Sequence, residues 1–353
     1  MTTRRSRAAT IVTPWSALDD AQLLQYRFCD LQLSLSGAPV ESAIARLHRE
    51  LDARAISFKP HAWLAEEWFS PDGVPGIAIP FYLAHPRLVQ LERRMMGSVE
   101  GGNANWMMRI LRHEAGHAID TAYRLRRRRI WRETFGYASS PYPDRYRARP
   151  SSRRYVHHLG DWYAQAHPTE DFAETFAVWL KPRSNWRHDY AGWPALHKLL
   201  TVDRFMQEIR EVPAPVRARD EIEPLELNTR TLAQYYRGRR AREQRFRSSL
   251  TDRLLREAFT DAPARRNAIL VATLLRENRA ALAAGVMRDL KLAPEPGFGR
   301  YSAYQVLRIA IDRSVILKLR IRGSRRDALA AARTLLRRLT RSYLSIETPQ
   351  LPL

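Results

Sequence analysis

A single cysteine, Cys29, stands among 353 residues. One thiol rules out an intramolecular disulfide. It also rules out a zinc finger or ribbon, which needs several thiolates on one ion. Cys29 then reads as a small buried hydrophobe. Long apolar runs are missing as well, and no stretch reaches the roughly 18 residues that a membrane span needs. The opening segment MTTRRSRAATIVTPWSALDD is basic but has no apolar core of the secretory kind, so Arg4-Arg5 makes a poor twin-arginine signal. These absences set the expectation of a cytoplasmic chain without a membrane partner. Lysine is scarce too: five of the 59 basic residues are lysines and 54 are arginines, a compositional skew with no bearing on fold.

What the chain has in excess is positive charge. The 59 basic residues outnumber the 37 acidic ones, for a net charge of +22. The excess is uneven: residues 1–100 carry 11 basic and 11 acidic groups, residues 101–200 carry 17 and 9, and residues 201–353 carry 31 and 17. Such a C-terminal region attracts a polyanion or an acidic protein partner. It contains no nucleic-acid motif and no alternation of aromatic and basic residues. At 45% hydrophobic and 27% charged residues, the chain can bury one large core or two smaller ones.

Periodicity predicts a helix over about 16–29 capped by Ser16, and another over 41–53 with Ile44, Leu47 and Leu51 on one face. Residues 77–83 read as a strand, and Pro80 within it argues for a sheet edge. Helices follow over 86–97 and 104–125, the second carrying Trp106, Ile110, His113, His117 and Ile119 broadly on one side. The proline- and tyrosine-rich stretch 126–160 reads as irregular. A helix should begin after Pro168-Thr169 and stop before Pro182. A helix over 195–210, a linker over 211–224, and helices near 229–259, 264–289 and 325–343 complete the reading, with 314–321 a possible strand.

The chemistry concentrates in His113-Glu114-Ala115-Gly116-His117. Histidines four apart on a helix share a face, so both imidazoles can reach one ion. Glu114, beside the first of them, is placed to hold and deprotonate a metal-activated water. A catalytic zinc site needs a third protein ligand and one open position. Glu170, Asp171 and Glu174 on the second helix are the candidates, and Glu170 and Glu174 are themselves four apart. One would bind the metal while the other accepts a hydrogen bond from a ligand histidine. The plain alternative makes all three glutamates solvated helix charges and both histidines core residues.

HEAGH followed about fifty residues on by Glu170-Asp-Phe-Ala-Glu174-Thr-Phe176 resembles the gluzincin peptidases. That resemblance implies zinc held by His113, His117 and Glu170, with Glu174 supporting the first histidine. The E-x-F-A-E-x-F pattern is similar to the catalytic domain of anthrax lethal factor and to the Mlc titration factor A peptidases. Their tyrosine seven residues before the glutamate ligand corresponds to Tyr163, which by that likeness donates to the oxyanion. Over roughly residues 15–210 the chain resembles a bacterial zinc-binding metallopeptidase family. The segments that carry this are Ile79–Pro86, Leu111–Ala118, Ser151–His157 and His167–Ala177. Some members of that family carry an N-terminal zinc ribbon, which this chain lacks. The resemblance implies an α+β, zincin-like metallopeptidase domain over residues 1–225, with a small, partly antiparallel sheet beside the HExxH helix. A mostly helical basic region of unassigned role would occupy 226–353. The implied activity is zinc-dependent hydrolysis of a peptide or protein substrate, with Glu114 as general base.

Other residues carry two readings each. His157, His158 and His167 are rival ligands or oxyanion donors, or ordinary loop groups. Asp120 follows His117 by three and either orients it or is a surface charge. Tyr155 is the alternative to Tyr163. The run Arg126–Arg129 suits a helix C-terminus or a nucleic-acid clamp. Ile77, Ala78 and Ile79 could bind an extended substrate by β-augmentation, or form a plain structural strand. Two other functions fit the sequence: a regulatory or protein-binding module with a little-used metal site, and a nucleic-acid-associated protein.

Overall fold

The computed structural model describes residues 14–96, 99–143, 145–147, 149, 152–160, 162–246, 250–261, 269–290, 298–344 and 350–352. In chain order the helices are α1 (Asp20–Leu23), α2 (Glu41–Asp52), α3 (Pro86–Met96), α4 (Ala104–Tyr123), α5 (Arg129–Phe135), α6 (Pro168–Leu180), α7 (Trp186–Asp189) and α8 (Ala195–Glu208). They continue as α9 (Leu232–Phe246), α10 (Leu250–Ala258), α11 (Val271–Glu277), α12 (Arg279–Asp289), α13 (Phe298–Ile316) and α14 (Arg325–Leu344). Strands β1 (His61–Ala65) and β2 (Gly76–Pro80) form one small sheet; β3 (Arg145–Arg147) and β4 (Gln350–Pro352) form another. The described residues are mostly helical, and no helix among them is long and apolar enough to cross a membrane.

The chain divides into two compact units. The first comprises Met1–Met95, Val99–Leu125 and Met206–Ala241; the second comprises Met96–Ser98, Arg126–Phe205 and Arg242–Leu353. In the first unit α4 packs on α2 and on β2. Phe28, Phe81 and Tyr235 meet edge to face, with ring centroids 4.8, 5.4 and 5.3 Å apart, a geometry that adds to simple area burial. The segment after residue 206 belongs here because it is stitched in by backbone: Phe28 N–H donates to Arg230 O and Leu232 N–H donates to Tyr26 O. The predicted linker is equally engaged. Val212 O accepts from the Tyr123 and Ser57 hydroxyls, and Val216 N–H donates to Ala122 O.

The predicted helix over 16–29 does not form. Asp19, not Ser16, is the cap: it makes a capping box with Gln22, and the helix ends after one turn. Beyond it Arg27 bridges Thr231, a long-range pairing that local periodicity cannot reveal. Cys29 is only partly buried, and its thiol donates to Asp30 at 3.7 Å. The two strands beside α4 pair in parallel, with Ile77 against Ala62 and Ile79 against Leu64, and the antiparallel part of the arrangement is the isolated bridge from Ala78 to Phe69. On the other side of β2, Ala78 N–H donates to Phe69 O at 2.8 Å. Ile77, Ala78 and Ile79 are therefore buried, and the donor that an added strand would use at Ala78 is taken.

In the second unit α10 to α14 enclose an apolar cluster that includes Leu255, Leu274, Leu275, Ala310, Leu319 and Leu336, joined by Trp162 and Ala166. Arginines on these helices tie to carboxylates on their neighbours: Arg313 to Asp252, Arg325 to Glu277, Arg333 to Asp289 and Arg338 to Glu257. Some of the C-terminal arginines thus serve helix packing. The expected strand over 314–321 begins inside α13, and only Arg320 bridges, to Thr260 and Leu270. The helix expected over 264–289 breaks at Asn278, between α11 and α12; residues 247–249 of the helix expected over 229–259, and residues 262–268, lie outside the described set. The stretch 126–160 is not wholly irregular. Arg129 opens α5, so the four-arginine run lies past the C-cap of α4 at Arg124 rather than in its last turn.

Candidate metal centre

The motif helix α4 begins at Asn103, whose side chain accepts from Trp106 N at 3.0 Å. It ends where Arg124 turns left-handed at φ 54°. Burial runs around nearly the whole helix, not along one stripe: Met108, Ile110, Leu111, Ala115, Ala118, Ile119 and Ala122 are all enclosed. His113, Glu114 and Asp120 are buried among them. Burying that much polar chemistry costs free energy unless it is partnered. His113 and His117 face each other with Nε2 atoms 3.2 Å apart and rings near perpendicular at 78°. Two ligands about 2.0–2.1 Å from a tetrahedral ion sit about 3.3–3.4 Å apart, so this separation suits a shared metal.

In the second unit His167 caps α6. Its Nδ1 accepts from Thr169 N, and Pro168 takes the first helical position, where a missing N–H does no harm. Every residue from Thr169 to Leu180 is buried. Glu170 Oε1 accepts from the Tyr142 hydroxyl at 2.8 Å. Glu174 Oε2 accepts from Leu159 N at 2.8 Å. Asp171 receives Lys198 Nζ; burial raises its carboxyl to about 7 despite that ammonium.

Among the described residues, one group of histidine and carboxylate side chains could hold a metal ion. Of the residues named for it, His113 and His117 belong to the first unit and Glu170 to the second. No family model, curated protein or solved structure matches this chain. Two imidazoles on one helix face are a donor pair that zinc and other first-row ions accept.

The other sequence candidates fall as follows. Tyr163 follows a left-handed Trp162 and lays its ring, half-buried, against the apolar cluster of the second unit. Tyr155 lies under Lys198 Nζ, 4.1 Å from the ring centroid. His167 is a helix cap, with Nε2 on Ser140 O at 2.9 Å. His158 is buried. His157 takes the Tyr190 hydroxyl on its backbone N–H, and burial lowers its imidazole to about 4 against the opposing pull of Glu174. A histidine pKa lowered by folding contributes stability that is complete above the free value of 6.5 and fades as pH falls toward 4. The stability gap between wild type and His157→Gln should therefore shrink between pH 8 and pH 4.5 by about 1–3 kcal/mol in urea unfolding. A gap that stays constant would refute the buried, neutral imidazole.

Sequence reasoning missed Tyr142, Thr169 and Lys198. Lys198 sits one residue-face from α6 only after the chain has turned back through α7, so no spacing rule links it to Asp171. Thr169 was legible in principle as the residue after a capping histidine and an N1 proline.

Proposed function

We propose that the chain is a zinc-dependent peptidase of the gluzincin kind, with His113, His117 and Glu170 holding the ion and Glu114 acting as base. The observation that carries the reading is the pair of imidazoles on α4, whose Nε2 atoms face each other at 3.2 Å. The burial of Glu114 beside them supports a hydrolase in particular, because a purely structural site has no use for a general base.

Zinc bound there would supply Lewis acidity, which lowers the pKa of a bound water toward about 7. Glu114 accepts the proton of the attacking water and returns it to the departing amine. By the sequence resemblance Glu174 would support the first histidine, and Asp120, three residues after His117, would orient that imidazole. By the sequence resemblance, Tyr163 donates to the developing oxyanion. The substrate is a peptide or protein, and the single cysteine favours a cytoplasmic setting. The regulatory-module reading draws less support, since a purely structural site has no use for Glu114, and the nucleic-acid reading lacks a recognised motif.

Elemental mass spectrometry of the purified chain tests the site. Wild type should carry about one zinc, Glu170→Gln should lose it, and Glu174→Gln should keep most of it. A wild type that takes up no zinc after add-back ends the reading.

A further inference from the structure

The segment Tyr137–Pro143 brings one side chain to the third ligand. Tyr142 leaves 55% of its surface exposed, yet its hydroxyl turns inward and donates to Glu170 Oε1 at 2.8 Å. Thr169 Oγ1 meets the same hydroxyl. The Tyr142 ring lies flat on the His167 imidazole, with centroids 3.8 Å apart and planes 18° from parallel. His167 is itself fixed at both nitrogens: Nδ1 contacts Thr169 Oγ1 at 2.7 Å and Nε2 contacts Ser140 O at 2.9 Å. Pro141 and Pro143 flank the tyrosine and restrict its backbone. The phenol is thus clamped by its ring and aimed by its hydroxyl, an arrangement that plain surface packing of a half-exposed tyrosine does not require.

We propose that Tyr142 is a positioning residue of the metal centre: its hydroxyl commits Glu170 Oε1 to a hydrogen bond, so the carboxylate meets the ion through its other oxygen. This rests on the metal-site reading above. A carboxylate free to rotate offers either oxygen or both, and loses orientational freedom on binding. One oxygen tied to a phenol removes that freedom beforehand and favours the monodentate contact of a four-coordinate ion. Partners of this type, one step behind the ligands, are worth about 10–100-fold in metal affinity.

The test is zinc affinity by competition with a chromophoric chelator, on the full chain. Tyr142→Phe keeps the ring and its stack on His167 and removes only the hydroxyl. Tyr137→Phe, an exposed tyrosine of the same segment, is the control. Tyr142→Phe should bind zinc about 10–100-fold more weakly, with the metal-free melting temperature unchanged and Tyr137→Phe matching wild type. Tyr142→Phe within about threefold of wild type, with wild type binding zinc tightly, overturns the role of Tyr142 and leaves the metal site standing. An equal loss in both variants, or a loss that follows a fall in melting temperature, marks general disorder of the segment and also overturns it. A wild type that binds no zinc removes the metal-site reading and this inference together.

Discussion

Glu114→Gln will keep its zinc and lose about 10²–10⁴-fold in peptide hydrolysis. The substitution is nearly isosteric and leaves His113, His117 and Glu170 untouched, so metal content should equal that of wild type. What it removes is a proton acceptor: an amide can hydrogen-bond to water but cannot take its proton and carry it to a leaving amine. Glu114 is buried, so exchanging its charge for a neutral amide also removes a desolvation cost. The thermal midpoint should therefore hold or rise. That combination separates a catalytic carboxylate from a structural one, whose loss would lower stability and spare turnover. The assay is cleavage of a quenched fluorescent peptide library by zinc-loaded protein. Equal turnover by the two proteins would remove Glu114 from the reaction, and with it the strongest reason to call the site hydrolytic.

How much of this was legible in the sequence depends on how local each feature is. The pairing of His113 and His117 follows from helix geometry alone, and so does the stop of α6 before Pro182. The helices over 41–53 and 86–97 were legible because Leu47, Leu51, Leu88 and Leu91 repeat on one buried face. The helix α13 gave no such signal. Ala303, Val306, Leu307, Ile309, Ala310 and Ile311 are buried on several sides at once, so no polar stripe marks the period. Its β-branched end, Val315-Ile316, then imitates a strand, and the helix overrides that propensity. The residues 16–29 misled in the opposite way: their helical pattern is real, but Asp19 recaps it and backbone pairing with residues 228–233 takes the rest. Tyr142 lies 28 residues from the carboxylate it touches, on a segment without period, and no rule of spacing could find it.

Arg112→Met will cost about 3–5 kcal/mol of stability. Arg112 immediately precedes the first ligand histidine. Its Nε and Nη2 donate to the two oxygens of Glu50 at 2.6 and 2.8 Å, and both side chains are about 6% exposed. Arg46, half exposed, adds a third donor at 3.0 Å. With Arg112 gone, Glu50 stays buried with one weak partner, and that unpaired charge rather than the lost attraction sets the cost. The pair joins α2 to α4, the helix that carries both histidines. Removing both charges tests this. Arg112→Met with Glu50→Leu leaves nothing unpaired, and should recover most of the loss in urea unfolding. If the pair serves only to hold the fold, the double variant will also bind zinc like wild type. If it sets the rotation of α4, the double variant will be stable yet bind zinc more weakly. A single variant that costs under about 1 kcal/mol would mean that water reaches Glu50, contrary to its burial.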